Sequence, residues 1–154
     1  MFYFVVKSKN LAQPAWKPAS KIENKGGMEL IGEKLREVLF TPPDSALAII
    51  TRGKDGPHVV NSWNSYVQIA DGDKLVIPAG RMFETEKNVG EDEKVKLTIT
   101  NREVEGKTYK GTGFLVEGTA VFEKEGPRFD SLKAKFPWAR AALVITVESA
   151  EQTL

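Results

Sequence analysis

The strongest constraint on the fold is a series of short, strand-like segments separated by turn signals, which runs through most of the chain. Residues 46–51 form an apolar run that ends at a Gly-Lys-Asp-Gly-Pro turn, and residues 58–69 form a longer run that ends at Asp-Gly-Asp. Four further segments follow, covering residues 74–78, 94–101, 113–123 and 142–148. Six strands with tight turns predict a mainly β protein, an antiparallel barrel or sandwich.

Two helices are predicted around these strands. Apolar residues recur at helical spacing over residues 30–39, and this helix must end before Pro42 because a residue that precedes proline is pushed out of the α region. Gly126 and Pro127 open a second helix, since proline suits the first helical position, and Pro137 ends it. We expect this second helix to cap the barrel.

The chain divides into an N-terminal arm and one domain. Its 154 residues suffice for a single core. Residues 1–27 carry five lysines against one acid, which is typical of a solvated, partly extended arm. The alternative is an arm that lies over a partner subunit or a cofactor and is anchored by Phe2, Phe4 and Trp16. Residues 28–154 form the predicted barrel.

Composition excludes several classes of function. The formal charge is only +1, whereas a protein that binds nucleic acid has a marked basic excess. No apolar run approaches the roughly 20 residues that cross a bilayer, and the opening six apolar residues make a poor signal peptide, so we expect a cytoplasmic protein. The chain has no cysteine and one histidine, His58, which excludes disulfides and a multi-histidine metal site. Any redox or binding chemistry must therefore come from a cofactor or from carboxylates, hydroxyls and aromatic side chains.

Polar and aromatic residues are concentrated in the run from His58 to Tyr66, where two Asn, two Ser, a Trp and a Tyr occur within six residues. In a strand, alternate side chains face opposite sides, and here neither face is purely apolar. This composition is typical of the lining of a polar, aromatic ligand site. The alternative is a half-exposed strand with surface aromatics. His58 itself, at the start of the strand, is expected to be a surface residue.

A second candidate segment covers residues 77–89, where a strand ends in a turn of small residues and a short helix begins. Thr85 is the predicted capping residue of that helix. The start of a helix presents unpaired N–H groups and a partial positive charge, which suit a phosphate. Arg81 or Lys87 could add a countercharge and the Thr85 hydroxyl a further donor. Many helices begin this way without binding a ligand.

Near the C-terminal strand, Trp138 follows the end of the last helix. A tryptophan in this position is more often part of a core than of a ligand site. A planar, electron-poor ring such as a flavin would nevertheless stack well against Trp138 or Trp63.

Several segments together resemble the small FMN-binding members of the flavin split-barrel family that is related to pyridoxamine-phosphate oxidase. They are residues 55–66, 82–89, 111–115 and 136–154. The likeness extends from about Leu35 to Leu154 and is strongest over residues 138–147 and 149–154. It is contiguous, which makes it more specific than any single motif here.

The resemblance implies a six-stranded antiparallel Greek-key split barrel with two or three short helices, which dimerises and holds FMN at the subunit interface. Three groups of residues would surround the cofactor: a polar strand, a turn with the helix start that follows it, and an aromatic pair with the last residue, which would cover the flavin of the other subunit. They are, in that order, Asn61, Ser62, Trp63 and Asn64; Pro78, Ala79, Gly80, Arg81, Thr85 and Asn88; and Tyr66, Trp138 and Leu154. Asp44 would occupy an acidic position near the cofactor.

Three departures from the family pattern matter. The family has a lysine directly before the threonine at the phosphate helix, and this chain has Glu84 there, which repels a phosphate by like charge. Arg81 and Lys87 stand where the family has small uncharged residues, and one of them is expected to replace the missing cation. Residues 1–27 have no counterpart.

Three functions stay open on the sequence. The leading one is a homodimeric FMN-binding redox protein that transfers electrons to a redox partner which the sequence does not identify. The second is an enzyme at the same site, either a flavin reductase or a pyridoxamine-phosphate-oxidase-like oxidoreductase. The third is a non-redox flavin-binding protein, or one that has lost the cofactor, which Glu84 favours.

Overall fold

A computed structural model describes residues 29–154 of the chain. The predicted arm, residues 1–27, lies outside the described residues. Seven strands and three α-helices make up this part of the chain, with one short 3-10 helix between the second and third strands. In chain order they are α1 (Glu33–Phe40), β1 (Ala46–Gly53), β2 (Gly56–Trp63), the 3-10 helix (Asn64–Tyr66), β3 (Gln68–Ala70), β4 (Lys74–Ala79), α2 (Phe83–Glu91), β5 (Lys94–Glu105), β6 (Lys110–Glu123), α3 (Pro127–Lys135) and β7 (Ala141–Gln152).

The strands form one antiparallel sheet in the order β2-β1-β5-β6-β7-β4-β3. Its two outermost strands, β2 and β3, are joined directly by residues 64–67. In a flat sheet of seven strands, the outer strands would be about 29 Å apart. The five residue steps from Trp63 to Gln68 span at most about 18 Å even when extended. The sheet must therefore roll up, and the predicted Greek-key split barrel is confirmed.

The structure has seven strands where the sequence predicted six, because the predicted strand over residues 58–69 is interrupted. The Asp44 carboxylate accepts hydrogen bonds from the Ser65 backbone N–H (2.9 Å) and the Ser65 hydroxyl (2.6 Å). The Asn64 N–H also donates to the Ser45 carbonyl (2.8 Å). These bonds compete with the sheet ladder, so β2 ends at Trp63. The predicted alternation fails from there, since Val67 is buried and Trp63 is exposed.

The barrel interior is filled by alternate residues of the strands, most regularly in β5, where every second residue from Val95 to Asn101 is buried. Helix α1 contributes apolar residues from one end of the barrel, among them Leu35 and Leu39. Helix α2 contributes Val89 from the opposite end, where it contacts β1 and β6. The apolar period predicted for α1 is thus confirmed, and both ends of the barrel are closed by helices.

Helix α3 begins at Pro127, as predicted, but it does not cap an end of the barrel. Leu132 packs with Val76 of β4 and with Ala142 and Val144 of β7 in a second apolar cluster. These strand residues alternate with the core residues of the same strands, so α3 lies on the outer face of the sheet. None of the helices in residues 29–154 has the length and apolar character needed to span a bilayer.

A β-bulge between Glu117 and Gly118 shifts the register of β6 against β7. A Cβ atom on Gly118 would overlap the backbone carbonyl oxygen of Thr146. The close approach of the two backbones at the bulge therefore requires glycine.

We expect Gly118→Ala to lower the free energy of unfolding by about 2 kcal/mol or more, since a backbone atom cannot move aside as a side chain can. Urea unfolding followed by far-UV circular dichroism measures this. Gly32→Ala is the matched control, because a Cβ there meets only the Glu29 carbonyl at 3.5 Å. Equal unfolding midpoints for the two variants would contradict the requirement for glycine at the bulge.

Candidate cofactor site

The segment between β4 and α2 forms a tight turn of small residues that leads into the helix. The residue before α2 is Met82, which has left-handed backbone angles (φ 34°, ψ 34°) and whose side chain makes no capping hydrogen bond. The prediction that Thr85 caps the helix is wrong, since Thr85 is the third residue of α2. The first turn of α2 thus presents backbone N–H groups without a side-chain cap, a geometry that suits an anion.

Polar side chains fasten α2 to the β1–β2 hairpin. The Nε2 atom of His58 lies 3.2 Å from the hydroxyl of Thr85, which is fully buried. One turn further along, the Asn88 side-chain amide donates to the Thr51 hydroxyl (3.2 Å). The one histidine of the chain, expected at the surface, is therefore half-buried and links the two elements.

Arg140, at the start of β7, lies against the beginning of α2. Its Nη2 atom donates to the Arg81 carbonyl (3.1 Å) and lies 2.6 Å from a Glu86 carboxylate oxygen. Its guanidinium stacks over the Phe83 ring, 4.5 Å from the ring centroid. The roles of Arg140, Phe83 and Glu86 were not predicted from the sequence. Arg140 stands two positions after Trp138, and no local pattern indicates its long-range contacts.

Glu86 also forms an ion pair with a second cation: the Lys124 Nζ atom lies 2.7 Å from its other carboxylate oxygen. Hydrogen bonding from Lys124 lowers the pKa of the Glu86 carboxyl below its ordinary value; Arg140 acts in the same direction and burial in the opposite one. The carboxylate therefore stays ionised at neutral pH and neutralises part of the charge of both cations.

Two further cations are exposed in this segment: Arg81 directly precedes Met82, and Lys87 is the fifth residue of α2. Neither lies within 4 Å of an acid among the described residues. Glu84 is also exposed on the first turn, where the predicted repulsion of a phosphate would act. The two cations are therefore available to a ligand at this end of the helix.

An aromatic cluster borders the same turn. Tyr66, Phe136 and Trp138 have ring centroids 5.1–5.8 Å apart. A Cβ on Gly80 would lie only 3.2 Å from the Trp138 ring, so the ring covers the backbone of the turn. Trp138 is still 52% exposed. It is therefore a surface aromatic that a planar ligand can reach.

The outer side of β2 carries a second accessible surface. Val59 is 56% and Trp63 49% exposed, with the exposed Asn61 between them. Across the ladder, Val59 pairs with Ile50 of β1 and Trp63 pairs with Ala46. A sheet face in water normally carries polar residues, so this apolar face is suited to contact with another surface.

Asn64 and Asp44 hold the 3-10 helix in place. The Asn64 amide is buried and donates to the carbonyls of Val38 (3.2 Å) and Thr100 (2.9 Å), and its own oxygen has no partner within residues 29–154. Asp44, predicted to lie near the cofactor, orders Ser45 and Ser65 by accepting their N–H bonds.

The predicted cofactor residues fall into two groups in the structure. Eight are accessible, at the α2 start, on the outer side of β2, in the aromatic cluster and at the C-terminal strand: Asn61, Trp63, Tyr66, Gly80, Arg81, Lys87, Trp138 and Leu154. Six are buried: Ser62, Asn64, Pro78, Ala79, Thr85 and Asn88. Direct contact between these six residues and a cofactor stays a prediction. In this structure Asn64, Thr85 and Asn88 form hydrogen bonds that connect neighbouring elements.

Leu154 has an exposed side chain, while its backbone oxygen accepts bonds from the Lys107 N–H (3.2 Å) and the Thr112 hydroxyl (2.8 Å). The end of the strand is thus held against the β5–β6 hairpin. A separate concavity of about 600 Å³ lies at the β1–β2 hairpin, and none of the predicted cofactor residues lines it. Residues 29–154 contain no group of three acidic or histidine side chains that could hold a metal ion.

Residues 31–153 match the family model described as pyridoxamine 5'-phosphate oxidase. The chain belongs to the pyridoxamine 5'-phosphate oxidase family. It is 54% identical over 111 residues to the FMN-binding protein of Nitratidesulfovibrio vulgaris (strain Miyazaki F), a match that covers 72% of this chain and 90% of that protein. The resemblance inferred from the sequence is therefore confirmed.

Two solved protein structures share the fold of this chain at a sequence identity of only 16%. The HupZ protein of Group A Streptococcus superposes with a TM-score of 0.65 at 16% identity, covering 80% of this chain and 99% of that one. An FMN-binding protein from Syntrophomonas wolfei gives a TM-score of 0.61 at 16% identity, covering 79% and 85%. These likenesses support the split-barrel fold of the family.

Proposed function

We propose that this chain binds one FMN per subunit at the interface of a homodimer and transfers electrons through it. The observation that carries the proposal is the 54% identity, over 72% of this chain, to a protein named FMN-binding protein. The accessible residues of the candidate site have the chemistry that both ends of FMN require.

The phosphate end of FMN fits the start of α2. The uncapped N–H groups of the first turn and the helix dipole favour an anion. Arg81 and Lys87 supply positive charge that no described acid neutralises, and they offset the repulsion by Glu84. This charge balance supports the retention of phosphate binding although the family lysine is absent.

The ring end of FMN fits the exposed tryptophans. Trp138 and Trp63 offer half-exposed aromatic faces, and Asn61 offers an amide beside Trp63. A planar ring that stacks on such a face buries apolar area and excludes water from one side of itself. No enclosed cavity among the described residues joins these groups, so a second surface is needed to cover the ring.

A second copy of the chain is the proposed cover. The apolar outer side of β2 and β1 continues from Trp63 to Val59, next to the candidate site. Pairing of this face with its own copy would bury it about a two-fold axis. Leu154, exposed at the end of β7, would then cover the flavin of the partner.

Bound flavin supplies one- or two-electron transfer, and the protein orients it and controls its contact with solvent. The residues near the accessible rings include no histidine, since His58 binds Thr85. The concavity at the β1–β2 hairpin is lined by other residues. These features favour electron transfer over reaction with an organic substrate.

We expect one of the two single variants, Arg81→Ala or Lys87→Ala, and also the double variant, to weaken FMN binding about tenfold, the effect of losing one charge-assisted contact. Binding of riboflavin, which lacks the phosphate, should change little. Titration followed by flavin fluorescence measures both affinities. Lys96→Ala is the control, because Lys96 is an exposed lysine of β5 that pairs with Glu117 outside the candidate site. An unchanged FMN affinity in the double variant would disprove the replacement of the missing lysine.

The electron-transfer proposal predicts how the bound flavin is reduced. Dithionite should bleach the visible flavin absorbance within mixing time, whereas NADH and NADPH should leave it oxidised, because an electron carrier requires no site for hydride transfer from a dinucleotide. Stopped-flow absorbance under anaerobic conditions distinguishes these outcomes. Rapid, saturable bleaching by NADH or NADPH would instead establish a flavin reductase.

A further inference from the structure

The backbone at the start of α2 is held in an unusual conformation by contacts from another strand. Met82 adopts left-handed angles although it is not a glycine, a conformation that is unfavourable for a residue with a Cβ atom. Such a conformation persists only where surrounding contacts impose it. Two contacts hold this turn: the half-buried Met82 side chain packs against the barrel core, and the Arg140 Nη2 donates to the Arg81 carbonyl (3.1 Å).

Fixing that carbonyl also fixes the direction of the next N–H group. The peptide between Arg81 and Met82 is planar and trans, so its carbonyl and its N–H point in opposite directions. With the carbonyl drawn to Arg140, the Met82 N–H points away from it. A left-handed residue followed by helical ones brings successive N–H groups into a concavity that binds anions.

Arg140 is itself fixed on three sides. Its own N–H donates to the Ala79 carbonyl (2.8 Å), which anchors it to β4. Its guanidinium lies over the Phe83 ring and beside the Glu86 carboxylate. Because Glu86 is also bound by Lys124, this carboxylate is a fixed acceptor for Arg140. The guanidinium is therefore held by protein groups through Nη2 and its stacking face, while its buried Nε–H has no partner among the described residues.

We propose that Arg140 is a positioning residue for FMN: through the Arg81 carbonyl it holds the turn before α2 in the shape that binds the phosphate, and so sets the preference for FMN over riboflavin. This inference rests on the proposed function. Arg81 and Lys87 attract the phosphate by charge. Arg140 acts on the backbone donors instead.

The test compares FMN and riboflavin affinities in Arg140→Gln and Arg140→Lys. Both variants should weaken FMN binding about tenfold, the loss expected when a phosphate-binding turn relaxes, and leave riboflavin binding within about twofold. Arg140→Lys keeps the charge but cannot reach the Arg81 carbonyl and Glu86 with one planar group. A simple charge effect would leave this variant unchanged.

Arg128→Gln is the matched control, because Arg128 is likewise held by acids, Glu123 and Asp71, but away from α2. Phe83→Leu keeps Arg140 and every charge of the site but removes the ring under the guanidinium, and should lower the FMN-to-riboflavin preference about threefold even if the Arg140 variants fail to fold. A preference equal to that of the unaltered chain in every folded variant would overturn the inference. If the unaltered chain binds neither flavin, the proposed function fails instead.

Discussion

The structure depends on a short link, residues 64–67, between strands that lie at opposite ends of the sheet. The buried Asn64 amide holds this link by donating to carbonyls of α1 and β5. Because the link is too short to cross a flat sheet, it forces the sheet to roll into a barrel. Trp63, which directly precedes the link, is exposed on the outside of the barrel. Tyr66, within the link, packs in the aromatic cluster with Trp138.

The candidate site follows from this closure. Closing the barrel end with α2 places the start of that helix between β4 and the start of β7, where Arg140 can reach it. The buried polar residues connect elements to one another, as Thr85 does with His58. The accessible residues are left at the surface beside the apolar side of β2. A ligand bound there is covered only if a second surface closes on it.

Local sequence signals predicted the parts of the fold that depend on local physics. The apolar period of α1, the proline at the start of α3 and the turns between strands were read correctly. The interruption of β2 was not, because it depends on Asp44, which is 21 residues away from Ser65 in the chain. The prediction that Thr85 caps α2 was also wrong, because the helix begins two residues earlier, at Phe83. Met82 packs against the core and follows the Arg81 carbonyl that Arg140 binds, and such contacts between distant residues leave no local pattern in one sequence.

We propose that FMN binds at the interface between two copies of the chain, so that the protein that holds flavin is a dimer. The measurement that tests it most directly is sedimentation velocity of FMN-loaded protein after gel filtration, recorded at a visible flavin absorbance band. The account predicts one FMN per chain and flavin that sediments with a species of twice the 17.1 kDa chain mass. Flavin that is lost on gel filtration, or that stays bound to a species with the mass of one chain, would contradict it.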